Sequence, residues 1–179
     1  FRIMMPYAFT GPGFFNILPS EKWLASMREI SAMSAGDVDF PPALQWARRP
    51  LTFSLHNMVI WGMGIAWGVT AWISFIWMGW RIFRERWYVP LPIWAWTLFN
   101  FVMQSVNFTR SMRYQLPIYP SLAIIGAWGL VELFRYARRL DRAWLRELTT
   151  ALAVATTVAV VGYTAWYAVA FTGIYQRPV

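Results

Sequence analysis

Cysteine is absent from the 179-residue chain, which excludes disulfides, thiolate metal sites and thiol catalysis from the start. Charge is scarce too: 13% of residues are Asp, Glu, Lys or Arg, against roughly 25% in an ordinary soluble domain. Carboxylates are scarcer still, eight against sixteen Lys and Arg. Histidine occurs once, at His56, so no bis-histidine haem site is available, and covalent haem attachment would need the missing cysteines. The sequence also has no serine triad, no Gly-rich phosphate loop and no relay of charges within its apolar runs. The start at Phe1 lacks both an initiator methionine and the charged, apolar and small-residue order of a signal peptide. That leads us to expect a processed product or a piece of a longer protein.

What the chain has instead is apolar bulk: 58% hydrophobic and 19% aromatic residues, more than one small core can hide. The net charge of +8 does not point to nucleic acid, because the arginines sit in short connections between apolar runs and not on one soluble face. The expected fold class is an all-α membrane protein with about four transmembrane helices, at residues 58–80, 89–106, 116–134 and 149–171. From Met58 to Trp80 no residue is charged. Gly62 with Ala66, Gly64 with Gly68, and the Ala151, Ala155, Ala159 stripe suit close helix packing. Residues 1–57 read as a separate extracytoplasmic loop region, leaving 58–179 as the helical membrane region. Within the loop, Trp23, Leu24, Met27 and Ile30 recur at helical spacing after Ser20, which predicts a short amphipathic helix with Ser20 as its N-cap.

Orientation follows from the arginines. Arg81, Arg84 and Arg86 in one connection, and Arg135, Arg138, Arg139, Arg142 and Arg146 in another, mark the cytoplasmic side. The long first loop then faces outward, which makes this a multi-pass protein of the cell membrane. Tryptophans near span ends, such as Trp61, Trp80, Trp87 and Trp166, fit interfacial belts better than a ligand cage. Expected partners are the lipid bilayer and other transmembrane helices or subunits.

Few residues invite chemistry. Thr97, Asn100, Gln104, Asn107 and Ser111 recur at intervals of three and four. They line one helical face that is either a set of interhelical hydrogen bonds or a polar cavity wall. The stripe leads to Arg110 and Arg113, beside Tyr114. Two guanidinium groups there suit a phosphate, which they grip in a bidentate manner, or lipid headgroups in general. Asp37 and Asp39 are spaced to share a divalent cation, the one cofactor the sequence leaves open, although such a pair is more often a solvated turn. His56 is weighed as a pigment ligand and read instead as an unligated interfacial side chain. Glu132 is expected to pair with Arg135 or Arg138.

Four groups of strings carry a resemblance. They are Pro6-Tyr7-Ala8-Phe9 with Gly11-Pro12-Gly13-Phe14-Phe15, Asp39-Phe40-Pro41-Pro42 with Gln45-Trp46, Asn57-Met58-Val59 with Trp61-Gly62-Met63-Gly64, and Arg113-Tyr114 before Leu116-Pro117-Ile118-Tyr119-Pro120. Together they resemble the later part of prokaryotic membrane glycosyltransferases of the protein-mannosyltransferase-like kind, family 39 and its relatives. The resemblance implies transfer of a sugar from a polyprenyl-phosphate carrier to an acceptor on the outer face, with Arg110, Arg113 and Tyr114 at the lipid phosphate. It also implies an acidic residue in an earlier outer loop, which Asp37 and Asp39 do not match, so the chain is expected to be catalytically incomplete by itself. Two readings stand beside this one: a four-helix accessory subunit without chemistry of its own, and a pigment-binding or electron-transfer subunit resting on His56.

Overall fold

The computed structural model describes residues 5–11, 16–37, 45–46 and 48–174. Among them the backbone is helical apart from turns and one isolated antiparallel bridge, Phe9 to Pro19. The chain divides into two units, residues 1–50 with 106–110, and residues 51–105 with 111–179. The division thus falls seven residues before the sequence-based boundary and takes the end of the second apolar run with the first unit.

In the first unit, α1 spans Glu21–Ala35, as the spacing predicts. Ser20 holds extended backbone and its hydroxyl accepts a hydrogen bond from the Trp23 N–H at 3.2 Å. The same hydroxyl donates to the Tyr7 carbonyl at 3.0 Å, tying the helix start to the preceding segment. At the other end Gly36 takes the left-handed conformation, φ 86°, that closes a helix. A side chain there would also run into the Phe108 ring. No residue of α1 is buried, and Met27 and Ile30 are exposed, so its stability leans on its caps. Ser20→Ala is accordingly expected to weaken α1 by about 1 kcal/mol, visible as faster amide hydrogen exchange confined to its first turns.

The second unit opens with α2, Phe53–Asn57, which runs into a π-helical turn, Met58–Gly62. The chain then breaks at Gly64, φ 78°, before α3, Ile65–Arg84. The uncharged run 58–80 is therefore not one helix, which corrects the first expected span. The cause is local. Glycines at 62 and 64 weaken helix propagation, and the positive φ at Gly64 strains any other residue. The segment before the break folds back so that Val59 backbone lies where a Cβ on Gly68 would be.

Packing around α3 is graded by side-chain size. Small residues bring α3 and α5, Tyr119–Arg138, into the closest approach: Gly129 faces Ser74, and Gly126 faces Trp67 and Ala71. Rings hold α4, Leu91–Val106, further off. Trp94 stacks on Phe75 at 5.2 Å and Phe101 meets Trp72 edge-on at 4.6 Å. Trp94 also donates its indole N–H to the Phe75 carbonyl at 3.0 Å, reaching it across Gly79. The core comprises Met58, Met63, Ala71, Phe75, Met78, Ile82, Ile118, Leu122 and Ile125.

Large apolar side chains also stand on the outer faces of the second unit's helices. Ile65, Val69, Ile73, Ile76 and Phe83 of α3 are all exposed, one apolar stripe opposite a buried face that includes Gly68, Ala71 and Ser74. Helix α6, Ala143–Ile174, packs against α5 and α3 but buries only Ala153 and Val160 among its large or small apolar side chains. Exposed apolar area of this extent calls for lipid or a partner. Two helical stretches, Met112–Arg138 and Ala143–Gly173, are long and apolar enough to cross a membrane. Both exceed the expected spans 116–134 and 149–171, because arginine-bearing flanks continue the helices instead of ending them.

Candidate functional site

The turn that precedes α5 is a 3-10 helix, Met112–Ile118, with Pro117 inside it and Pro120 in the first turn of α5. Two missing N–H groups in this short stretch deny an ordinary α-helical start, and the tighter turn results. It is anchored by Gln115, whose side chain is 1% exposed and donates from Nε2 to Ser105 Oγ at 3.3 Å. With Gln115 and Ile118 turned inward, Arg113 and Tyr114 point out and are exposed. The Arg113 guanidinium lies 5.2 Å from the Tyr114 ring centroid and 3.5 Å from its hydroxyl. Among the described residues it has no carboxylate within 4 Å.

Arg110, expected beside it, belongs to the first unit, where its guanidinium donates to the Arg49 carbonyl. Asn107 also falls in that unit and is exposed. Asn100 and Gln104 are half-buried residues of α4 in the second unit. Asn100 donates to the Trp96 carbonyl of its own helix at 3.0 Å, and the buried Thr97 does the same to Ile93 at 2.8 Å. Asp37 is exposed just past α1, while Asp39 lies outside the described residues. His56 is exposed in the last turn of α2. No cluster of three or more acidic or histidine side chains able to hold a metal occurs among the described residues.

Two of the strings singled out in the sequence meet in the second unit. Tyr119 brings its hydroxyl against Gly62, leaving no room for a Cβ there, and Met112 closes the same side. From α6, Tyr163 covers Gly64, and Tyr167 donates to the Trp61 carbonyl at 2.7 Å. The broken helix is thus held by tyrosines from α5 and α6, a role no local spacing announces.

At the arginine-rich end of α3 and α5 lies a network only half visible in the sequence. Glu132 pairs with Arg135 at 2.7 Å, as its spacing suggests, and also with Arg81 of α3 at 2.9 Å. Arg81 further contacts Glu85 at 2.7 Å and sits over the rings of Trp87 and Trp128, 4.8 and 5.8 Å from their centroids. Glu132 is 7% exposed, and both of its oxygens are paired. A cavity of about 630 Å³ beside it is lined by Trp77, Trp80, Arg81, Tyr136 and Arg139, among others. This arrangement clamps α3 to α5 and satisfies a buried carboxylate.

No family model, curated protein or solved structure matches the chain.

Proposed function

We propose that the chain is the membrane-embedded part of a glycosyltransferase that uses a polyprenyl-phosphate-linked sugar, with Arg113 and Tyr114 holding the lipid phosphate. In this reading α3 and α4 cross the bilayer alongside α5 and α6, residues 1–57 lie on the outer side, and the arginine-rich turns face the cytoplasm. The observation that carries it is the exposed Arg113 guanidinium at the head of an apolar helix, without a carboxylate partner among the described residues. Arg81 and Arg135, by contrast, are paired with carboxylates, and among the described residues Arg113 is left to meet an external anion. The shared Arg-Tyr-x-Leu-Pro-x-Tyr-Pro string supports the same assignment.

The chemistry fits a guanidinium at this position. As the acceptor oxygen bonds to the anomeric carbon, the bond from that carbon to the phosphate oxygen breaks, and the phosphate leaves with the electron pair. A singly charged diester becomes a more highly charged monoester, so a fixed cation helps the transition state more than the ground state. This chain supplies the grip on the phosphate; the base that deprotonates the acceptor is not assigned to any of its residues.

Arg113→Ala is expected to lower kcat for transfer from a polyprenyl-phosphate sugar about tenfold or more, as loss of a charged hydrogen-bonding partner implies. Arg113→Lys should recover only part of it, because an ammonium cannot grip two oxygens at once. An unchanged rate in Arg113→Ala overturns the reading. The second reading is then favoured, a non-catalytic subunit of a larger membrane assembly. The observation behind it is the outer face of α6, where Leu152, Val154, Val158, Val161 and Val169 are exposed and Gly162 faces open space, and its test is co-purification of defined partners.

A further inference from the structure

Helices α5 and α6 form a hairpin whose tight turn gathers Arg135, Arg138, Arg139, Arg142 and Arg146 at one end. A groove of about 680 Å³ runs from this end along α6. Its floor is apolar, made by Ala151, Val154, Ala155 and Val158, and its head carries Arg138 and Arg146. Val154 and Val158 are 48% and 65% exposed, so the groove is open along its length. Neither arginine has a carboxylate within 4 Å among the described residues.

We infer that this groove binds one anionic phospholipid, its phosphate between Arg138 and Arg146 and an acyl chain along Ala151, Val154, Ala155 and Val158. Three features fit that occupant. From Arg146 to Val158 the helix advances roughly 18 Å at about 1.5 Å per residue, close to the depth of one leaflet of a hydrocarbon core about 30 Å thick. The alanines at 151 and 155 remove side-chain volume where a chain must lie flat. The polar residues at the head, two arginines with Glu147 and Thr150, leave one net positive charge, which matches a single phosphodiester and not a polyanionic headgroup. A transmembrane helix from another protein would have to cover two free guanidinium groups at the groove's end, whereas a phosphate at the interface pairs with both.

The inference rests on α5 and α6 lying in a bilayer and not on the transferase reading, and its test does not touch Arg113. The full protein, solubilised in mild detergent, is titrated with phosphatidylglycerol and with phosphatidylcholine of identical chains, and bound lipid is counted by native mass spectrometry. The wild type should retain phosphatidylglycerol about tenfold more strongly than phosphatidylcholine. Arg138→Gln with Arg146→Gln should abolish that preference, since each arginine near a headgroup is worth about a factor of five. Both residues are exposed, so the fold should be unaffected. Ala155→Trp, which fills the groove, should reduce retention of both lipids. Arg142→Gln, at the same end but off the groove, should change nothing. Equal retention of the two lipids by the wild type overturns the site outright, and an equal loss in Arg142→Gln overturns it in favour of unspecific charge attraction. Loss of a co-purifying protein in Ala155→Trp, with lipid retention intact, overturns it in favour of a partner helix.

Discussion

Replacing Glu132 with alanine is expected to destabilise the α3–α5 pair by about 3 kcal/mol, the low end for removing one partner of a buried ion pair. The low end applies because Arg81 keeps Glu85 at 2.7 Å and the Arg135 side chain, 60% exposed, returns to water at little cost. What remains is Arg81 itself, with a side chain 18% exposed, lying over Trp87 and Trp128 and facing a vacated carboxylate site. Glu132→Gln preserves the volume and one acceptor oxygen and should cost about half as much. A thermal or denaturant midpoint in detergent reads both variants. A double-mutant cycle should place more of the coupling on Arg81–Glu132 than on Arg135–Glu132, because the second pair is closer to solvent. Coupling near zero for both pairs would mean that the rings, and not the charges, hold this end together.

The second large effect comes from the opposite kind of contact. A Cβ built on Gly129 would lie 1.9 Å from Ser74 Oγ and 2.5 Å from Ser74 Cβ, so even alanine forces the two helices apart. Gly129→Ala is expected to cost about 2 kcal/mol, overpacking strain outweighing the gain of roughly 1 kcal/mol that alanine brings to a helix interior. Rotating the serine hydroxyl away does not help, because its Cβ is also too close. Ser74→Gly removes both atoms and leaves only Ser74 Cα, at 3.4 Å, an ordinary contact. The pair Ser74→Gly with Gly129→Ala merely moves the glycine across the interface. It should restore most of the lost stability, whereas Ser74→Ala with Gly129→Ala should not. If both double variants behave alike, the close approach of α3 and α5 is not set by these two residues.

How far the sequence carried the fold depends on whether each cause is local. Helix α1 was legible from Ser20 and the spacing of Trp23, Leu24, Met27 and Ile30, because a cap and an apolar period act within one or two turns. The Glu132–Arg135 pair was legible for the same reason, one turn of helix. The break at Gly64 was not. A run without charges, Met58 to Trp80, satisfies the length rule whether or not it is continuous, and the glycines alone did not decide between a packing face and a fold-back. The decision came from Val59 against Gly68, Tyr119 against Gly62 and Tyr163 against Gly64, contacts between residues far apart in the chain.

The candidate site divides along the same line. Arg113 and Tyr114 were visible as a charged and an aromatic residue at the head of an apolar helix, and the prolines at 117 and 120 announced an irregular turn. That Gln115 is buried on Ser105, so that its two predecessors face outward, is a property of the packed α4 and α5. The polar stripe on α4 shows the limit of spacing as a guide: Thr97 and Asn100 share a face, yet each donates to a carbonyl of its own helix.

The sequence by itself determined that this chain is helical and that its long runs are apolar, because hydrogen bonding within a helix and the transfer of apolar side chains out of water are settled residue by residue. Only the tertiary structure decided where Arg81 goes, why Gly129 cannot be larger, and which arginines have no carboxylate beside them among the described residues. Those outcomes depend on the distance between helices, and that distance is fixed by how small residues, rings and one buried carboxylate from separate parts of the chain fit against each other.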